Sequence, residues 1–428
     1  MYIKSVSIKN FKSIEQADIK FTPLTMIVGP NASGKSNLIS IFRFIEDIIR
    51  DGLDSAVMFQ GGIQYISNAN LAKGEKIEIE FTLDLSSEEW RRVLRGRKYA
   101  LQVHEIKYKF IIQPNQRGFG YKIVYDYVKI KYECCLFSPV DRENRYKNIQ
   151  LIFITAFERK GYNNGVRTTF DLLPDDNPYV NEFVEQLKKD SASLFFADIS
   201  RETKSELMLF RLNMLLPPSF STNSFIRVFD FDPKELKKAS RVVSINKFDE
   251  NGANIAFMLQ KILKNREQKT KLNFLLNEFL PFVKKISIEN NPDKSISYKI
   301  KESYNKKALY ANFLSDGTVS ILALIIALFF EERSNIIILE EPERNIHPKL
   351  LFSLLSAVTD VSKEKQVIIT THNPEFLKHA QVNDILFTQR DDKGKTIISK
   401  PADNRNVLNF IEKNLGIDDL FLQNLLGE

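Results

Sequence analysis

The sequence has few of the residues that build disulfide or zinc sites. Its 428 residues include two cysteines and four histidines. Cys134 and Cys135 are adjacent in a strand-like stretch, where successive side chains point to opposite faces, so we do not expect them to pair. Two thiols with no histidine close by in the sequence do not make a zinc site. The pattern argues against a protein stapled by disulfides or zinc.

Long apolar runs and an N-terminal apolar block are also missing. The longest apolar run, Ile321 to Phe330, is followed by two glutamates and is too short to span a bilayer, so it predicts a buried helix. Residues 1–11 alternate between apolar and polar side chains, unlike a signal peptide. We therefore expect a cytoplasmic protein with no membrane partner.

The composition is that of an ordinary globular protein. Hydrophobic residues make up 43% of the chain and charged residues 27%, and 428 residues are enough for more than one compact unit. The net charge is +7 and the isoelectric point is near 9.0. This surplus is compatible with nucleic-acid binding and equally with a mildly basic enzyme.

A phosphate-binding loop stands near the N-terminus. The segment GPNASGKS, residues 29–36, fits G-x-x-x-x-G-K-S and has an apolar strand before it and a helical pattern after it. Gly29 and Gly34 allow a tight turn, and backbone N–H groups of such a loop cradle a phosphate chain. Lys35 would reach the outer phosphates and Ser36 would ligate Mg²⁺. The predicted nucleotide contacts are Gly29, Pro30, Asn31, Ala32, Ser33, Gly34, Lys35, Ser36 and Asn37.

The N-terminal half otherwise has mainly strand patterns. Residues 2–9 and 18–21 predict a hairpin with a turn at 10–13, and the glycines at 61–62 should end a helical stretch. Residues 76–85 read as a strand. Residues 86–94 open with a capping box and predict a helix. Its basic far end favours either a solvated helix terminus or a phosphate-contacting patch on nucleic acid, formed by Arg91, Arg92, Arg95, Arg97 and Lys98.

The middle of the chain changes character near residue 160. Three alternating stretches, 104–113, 121–132 and 148–157, predict an antiparallel sheet. Helical spacing follows at 180–190, 205–216, 233–241 and 254–286. We therefore predict four regions: an N-terminal lobe over 1–87, an antiparallel β extension over 88–160, a helical insertion over 161–305 and a C-terminal lobe over 306–428.

The C-terminal lobe begins with a second candidate phosphate contact. Ser315, Asp316 and Gly317 open a long apolar helix, whose first N–H groups can bind an anion. A simple helix cap would also explain Ser315 and Asp316.

Two buried strands follow, and each ends in residues suited to phosphate chemistry. Residues 335–339 lead into Glu340 and Glu341, the Walker B arrangement in which one carboxylate serves Mg²⁺ and the next activates water. Residues 366–371 lead into His372, which could reach the terminal phosphate of a nucleotide held near Lys35. A histidine satisfied at a strand end is the alternative. These residues predict ATP and Mg²⁺ as cofactors, with Lys35, Glu341 and His372 as catalytic residues.

These four motifs resemble those of the ABC-type ATPases of the SMC and RecF superfamily, and most closely its OLD-like branch (overcoming lysogenization defect). The segments are GPNASGKSN, LSDGT, IIILEEPERNIHP and TTHNPEF, with IKNFKSI and DENGANIAFMLQKI as further support. The resemblance implies an α/β ABC-type ATPase head with a mixed central sheet. It also implies that two heads close around two ATP molecules, in a homodimer or a higher homo-oligomer.

The resemblance assigns roles to single positions. Ser315, Asp316 and Gly317 would contact nucleotide held by the partner head, while Glu341 would be the general base and His372 the switch histidine. The turn at Asn345 and His347 would lie at the dimer contact.

The chain departs from the broader family pattern at three positions. Ala32 stands where many members have glycine, Asp316 replaces the first signature glycine, and Glu340 replaces the usual aspartate of the metal site. The longer Glu340 should still serve Mg²⁺ through water, with slow turnover. Gln60 and Gln113 are candidates for the glutamine loop.

The resemblance also suggests a biological role. OLD-like proteins often carry a C-terminal Toprim nuclease, but residues 373–428 are too few for one, and Asp391 and Asp392 fit a hairpin turn. We therefore expect an ATPase sensor and scaffold in bacterial anti-phage defence, with a separate nuclease or toxin as effector and DNA as a further candidate partner. A RecF-like DNA repair ATPase is the alternative. A transporter ATPase subunit is disfavoured by the strand-rich insertion.

Overall fold

The structure is a computed structural model of the chain. It describes residues 1–68, 74–86, 92–93, 99–116, 120–136, 150–160, 167–172, 207, 225–241, 247–331, 334–378, 380–413, 415–423 and 425–426. The helix predictions at 180–190 and 205–216 and most of the basic patch at 91–98 lie outside these residues.

Strands occur throughout the described chain. In order they are β1 (Tyr2–Phe11), β2 (Ile14–Lys20), β3 (Leu24–Val28), β4 (Ile77–Asp84), β5 (Arg92–Val93), β6 (Tyr99–Pro114), β7 (Tyr121–Leu136), β8 (Gln150–Lys160), β9 (Arg167–Leu172), β10 (Ile226–Phe229), β11 (Ser240–Arg241), β12 (Val283–Asn290), β13 (Ser295–Glu302), β14 (Leu309–Tyr310), β15 (Ile336–Glu340), β16 (Gln366–Thr371), β17 (Ile385–Arg390) and β18 (Thr396–Ser399).

The described α-helices are α1 (Lys35–Asp51), α2 (Leu53–Phe59), α3 (Ile63–Ile66), α4 (Pro233–Leu236), α5 (Ile255–Lys264), α6 (Arg266–Phe279), α7 (Asp316–Phe329), α8 (Leu351–Ser362), α9 (Pro374–Leu377), α10 (Arg405–Glu412) and α11 (Ile417–Leu422). None of these helices combines the length and the apolar character needed to cross a bilayer.

The chain divides into two compact units. The first comprises Met1–Phe21, Ser40–Ser224 and Arg390–Ile397. The second comprises Thr22–Ile39, Phe225–Gln389 and Ile398–Glu428. The phosphate loop therefore groups with residues beyond 225, and the predicted boundaries at 88, 161 and 306 stay predictions.

An antiparallel sheet forms the first unit. Its order is β2, β1, β4, β6, β7, β8 and β9, with β5 paired to β6. The alternation predicted for 76–85 is visible in β4, where Ile77, Ile79 and Phe81 are buried and the residues between them are half-buried. The buried rings of Phe44 and Tyr108 lie 6.4 and 6.0 Å from that of Phe110. This confirms the predicted N-terminal hairpin and the antiparallel sheet.

The second unit is built on a sheet in the order β10, β15, β16, β3, β17 and β18. The first five strands run parallel to their neighbours. Strands β3 and β16 are buried along their whole length, as parallel strands covered on both faces should be. Residues 318–328 of α7 are all buried, which confirms the buried helix predicted from the apolar run. The α/β fold class is therefore as predicted.

A second, smaller sheet lies in the same unit. It has the order β11, β13 and β12, with β14 paired to β13. Strands β11, β12 and β13 fall in the 161–305 region that was predicted to be helical, so that prediction is wrong for these residues. Asn265 divides the predicted 254–286 helix by capping α6 through the N–H groups of Glu267 and Gln268. Pro281 then prevents α6 from continuing, and β12 begins at Val283.

The helix predicted over 86–94 is also wrong where it is described. Arg92 and Val93 form β5 and pair with Leu101 and Ala100 of β6. The tertiary pairing with β6 outweighs the local capping pattern that begins at Ser86.

Candidate active site

The register of three parallel strands brings the predicted motifs to one edge of the central sheet. Glu340 of β15 lies beside Thr370 of β16, and Thr371 of β16 lies beside Val28 of β3. The next residues along these strands are the second carboxylate, the histidine and the first glycine of the phosphate loop. Motifs that lie more than 300 residues apart in the sequence therefore meet at the carboxyl ends of neighbouring strands, where α/β proteins bind ligands.

The phosphate loop depends on two glycines for different reasons. Gly34 has a φ of 107°, a conformation that side chains rarely adopt. The φ of Gly29 lies outside the left-handed region, but a Cβ there would collide with the carbonyl oxygen and hydroxyl of Thr388 on β17. Gly29 is thus required by close packing.

Thr388 also braces the loop from the side. Its hydroxyl lies 2.8 Å from Ser33 Oγ and donates to the carbonyl oxygen of Val28 at 3.2 Å. Thr388 and Ser33 are both buried. Pro30, Asn31, Ala32 and Ser36 are exposed, and Asn37 is half-buried.

Lys35 is buried at the start of α1. Its ammonium group donates to the carbonyl oxygens of Gly29 and Pro30 at 2.8 and 2.9 Å. Burial lowers the pKa of Lys35, and the nearby carboxylates of Glu341 and Glu343 offset only part of this change. The loop lysine and the two carboxylates are therefore close enough to influence one another.

Glu341 is held in a strained backbone conformation. Its φ of 44° lies in the left-handed region, which is uncommon for residues with side chains. The N–H group of Glu341 donates to the carbonyl oxygen and the hydroxyl of Thr370 at 3.0 and 3.1 Å. Strain of this kind is concentrated at functional sites.

The carboxylate of Glu341 is bound at both oxygens. His372 Nδ1 lies 3.0 Å from Oε1, and Arg344 Nη2 donates to Oε2 at 3.1 Å. Burial raises the pKa of Glu341, but the hydrogen bonds from Arg344 and His372 outweigh it, and the pKa lies below its ordinary value. Because Nδ1 of His372 faces Glu341, Nε2 is the ring nitrogen left to face a ligand.

Two functional candidates were missed in the sequence. Arg344 contacts Glu341 and also Asp230, with Nη1 of Arg344 3.4 Å from Oδ1 of Asp230. Glu343 is buried, accepts a hydrogen bond from Thr371 Oγ1, and has no hydrogen-bond partner for Oε2. Burial, together with the charge of Glu341, raises the pKa of Glu343. The sequence signal that could have identified Glu343 and Arg344 is the run of charged residues that follows Glu340.

A pocket of about 340 Å³ opens at this edge of the sheet. Its lining residues are Glu341, Glu343, Arg344, His372, Asn373 and Pro374.

The residues present suit a magnesium ion. The Ser36 hydroxyl is exposed in the first turn of α1, and Glu340 is half-buried at the end of β15. The unpartnered oxygen of Glu343 adds a buried acceptor in the pocket, of the kind that an ion or its water satisfies. Oxygen donors of this type are the ligands that Mg²⁺ prefers.

The signature segment, Leu314–Thr318, makes its contacts elsewhere. Ser315 caps α7 by accepting from the Thr318 N–H at 3.1 Å, and Asp316 pairs with Lys237 at 2.5 Å. A Cβ on Gly317 would lie 2.8 Å from the carbonyl oxygen of Asn345. The signature segment therefore packs on the turn after β15 and does not line the pocket.

The candidates for the glutamine loop lie in the first unit. Gln60 ends α2 and accepts a hydrogen bond from Lys12 Nζ at 2.9 Å. Gln113 donates to the carbonyl oxygen of Gly74 at 2.8 Å. The assignment of the glutamine loop therefore stays open. His347 accepts from the Lys349 N–H at 3.2 Å.

Comparison with known proteins decides the family. Residues 1–377 match the AAA ATPase domain family. The chain belongs to this family. This AAA ATPase is 22% identical over 405 residues to a protein of Helicobacter pylori (strain ATCC 700392 / 26695) named ATP/GTP phosphatase, with 88% of this chain and 86% of the relative covered. The family supports ATPase activity.

Further matches include an archaeal protein and solved structures. The AAA ATPase chain is 26% identical over 147 residues to an uncharacterized protein of Methanocaldococcus jannaschii, covering 31% of this chain and 38% of that one. A crystal structure of the Smc head bound to the C-winged helix domain of ScpA has a TM-score of 0.48 at 15% identity, covering 93% of this chain and 98% of that chain. An SMC head domain from Thermotoga maritima has a TM-score of 0.42 at 15% identity, covering 94% and 99%.

Proposed function

We propose that this AAA ATPase hydrolyses ATP to ADP and phosphate at the carboxyl edge of its central sheet. The observation that carries the proposal is the strand register, which aligns the phosphate loop, the paired glutamates and His372 at one edge. Parallel neighbours in this order bring a phosphate-binding lysine and a carboxylate to the same edge of the sheet. The effect of Glu341 and Glu343 on Lys35 supports the same arrangement.

The residues have distinct roles in this reaction. Lys35 and the loop N–H groups hold the β- and γ-phosphates. Glu341 takes a proton from a water molecule as the water oxygen attacks the γ-phosphorus. The bond between the γ-phosphorus and the bridging oxygen then breaks, and its electron pair leaves on ADP. His372 contributes a hydrogen bond from Nε2 to the terminal phosphate.

Ser36 and Glu340 would hold Mg²⁺. When bound, the ion neutralises the charge on the phosphates. Glu340 reaches further than an aspartate, so it would act through water.

We further propose that two heads close on ATP, with Ser315, Asp316 and Gly317 contacting nucleotide on the partner. Asp316 is 55% exposed at the start of α7. The close approach of Gly317 to Asn345 supports a single contact face made of the signature segment and the turn after β15.

The biological role is proposed from the OLD-like resemblance. In this proposal the ATP-bound dimer senses infection and controls a separate nuclease or toxin in bacterial anti-phage defence. DNA is a further candidate partner in both this proposal and the RecF-like repair alternative. A nuclease or toxin gene beside the gene for this chain would favour the defence role, and replication genes would favour the repair alternative.

Replacing Glu341 tests the enzymatic proposal. We expect Glu341→Gln to bind ATP but to lose hydrolysis by roughly 100-fold or more, since general base catalysis typically contributes that much. The measurement is phosphate release in the presence of Mg²⁺. Glu364→Gln, at an exposed position after α8, is the matched control and should hydrolyse at the wild-type rate. Equal rates in the two variants would remove Glu341 from the proposed role.

The same variant tests the dimer. With ATP and Mg²⁺, Glu341→Gln should elute with the mass of a dimer in size exclusion with light scattering, and as a monomer without nucleotide. A monomer that holds ATP would contradict the two-head proposal and leave the hydrolytic one intact.

A further inference from the structure

The guanidinium of Arg344 lies between two carboxylates that come from neighbouring strands. Nη2 is 3.1 Å from Glu341 Oε2, and Nη1 is 3.4 Å from Asp230 Oδ1. Asp230 directly follows β10 and Glu341 directly follows β15, and these strands pair with Phe229 beside Leu339. The same register that aligns the motifs therefore sets Asp230 and Glu341 on either side of one arginine.

Arg344 completes a two-sided hold on Glu341. The backbone of Glu341 is fixed by the bonds of its N–H group to Thr370, but a glutamate side chain has three further torsions. His372 binds one carboxylate oxygen and Arg344 binds the other. A planar guanidinium suits this task because its N–H groups point in fixed directions.

Stability alone does not account for this arrangement. Arg344 and Asp230 have side chains that are 48% and 45% exposed. Ion pairs this exposed contribute little to folding stability. In contrast, misplacing a catalytic group by about 1 Å can cost roughly 100-fold in rate. The effect of Arg344 should therefore fall on turnover and hardly on folding.

We propose that Arg344 is a positioning residue that orients the carboxylate of Glu341 to take a proton from the attacking water, and that Asp230 acts by orienting Arg344. The inference rests on the proposed hydrolysis of ATP. Arg344 acts through Glu341 and makes no direct contact with substrate in this role.

The first test separates turnover from binding and stability. We expect Arg344→Ala to lower kcat by roughly tenfold or more, with the KM for ATP within about twofold of wild type. The melting temperature should change little. Arg344→Lys should recover part of kcat, because its ammonium keeps the charge and loses the fixed geometry.

The second test asks whether the three residues act in series. Asp230→Asn should lower kcat in the wild-type background and have no further effect once Arg344 is alanine. Arg344→Ala should likewise add nothing in the Glu341→Gln background. Arg50→Ala is the matched control, since Arg50 is 44% exposed, is paired with carboxylates, and lies fifteen residues along α1 from Lys35.

The outcomes are distinguishable. If the wild type hydrolyses ATP and Arg344→Ala has the same kcat, the positioning role alone is overturned. The same holds if Asp230→Asn still lowers kcat when Arg344 is alanine. A loss of kcat matched by a loss of folded protein in both Arg344 variants would also overturn it. Absence of hydrolysis in the wild type would overturn the proposed function, and the positioning role with it.

Discussion

Two residues of the candidate site adopt left-handed backbone conformations although they carry side chains. Ala32 in the phosphate loop has a φ of 62°, and Glu341 has a φ of 44°. Each costs on the order of 1 kcal/mol or more, which the surrounding structure must offset. The phosphate loop therefore keeps its shape at the expense of strain at Ala32.

Ala32 gives a first prediction at this scale. A β-branched side chain tolerates a positive φ worst, so Ala32→Val should distort the loop. We expect ATP affinity to fall about tenfold, which corresponds to about 1.4 kcal/mol. Calorimetric titration with ATP measures this. Ala32→Gly is the control and should bind at least as tightly as wild type, because glycine adopts this conformation freely. Wild-type affinity in the valine variant would contradict the account.

Glu343 gives a second prediction, in which the stability difference between a variant and the wild type depends on pH. Its raised pKa means that the folded protein binds this proton more tightly than the unfolded chain. Its contribution to stability is therefore present below the ordinary pKa of 4.5 and is lost as pH rises through the folded value. Glu343→Gln should be more stable than wild type at pH 7, by on the order of 1 kcal/mol, and should match it near pH 4. Urea unfolding at both pH values measures the difference. A constant difference would show that burial of the charge is not its cause.

Sequence motifs identify only part of the site at this scale. Lys35, Glu341 and His372 follow from residue type and from their place after a strand. Arg344 and Asp230 do not, because 114 positions separate them and only the pairing of β10 with β15 makes them neighbours.

Strand β17 acts as a brace for the phosphate loop. Thr388→Val keeps the shape of the side chain but removes the hydroxyl that contacts Ser33 and Val28. We expect the KM for ATP to rise several-fold, since one buried hydrogen bond contributes about 1 kcal/mol. Steady-state ATP hydrolysis measures this. Thr359→Val on α8 is the control, because its hydroxyl donates only to the Leu355 carbonyl of the same helix. An equal KM in both variants would show that the brace has no effect on nucleotide binding.

Elements could be predicted where their own pattern is strong. Strands β4, β6 and β7 alternate over many residues, and α7 is apolar on every face, so tertiary contacts agree with local preference. Strand β10 has only four residues, and a short apolar run does not distinguish strand from helix. Strand β12 follows directly on helical spacing, and Pro281 was the signal that should have ended the helix.

At the scale of the whole molecule, the fold class follows from the order of motifs and the division of the chain does not. The sequence predicts four consecutive regions. The structure instead groups residues 22–39 with residues after 225, because β3 pairs with β16 and β17. Strand pairings between segments that are distant in the sequence cannot be predicted from local composition.

The position of β3 between β16 and β17 has a consequence for how the protein is made. Ribosomes release the phosphate loop early, but the two strands that flank β3 and the threonine that braces the loop emerge only after residue 365. Until then β3 is an apolar segment without its native neighbours, a state that aggregates readily. Nucleotide binding therefore begins only after β16, β17 and Thr388 have been synthesised.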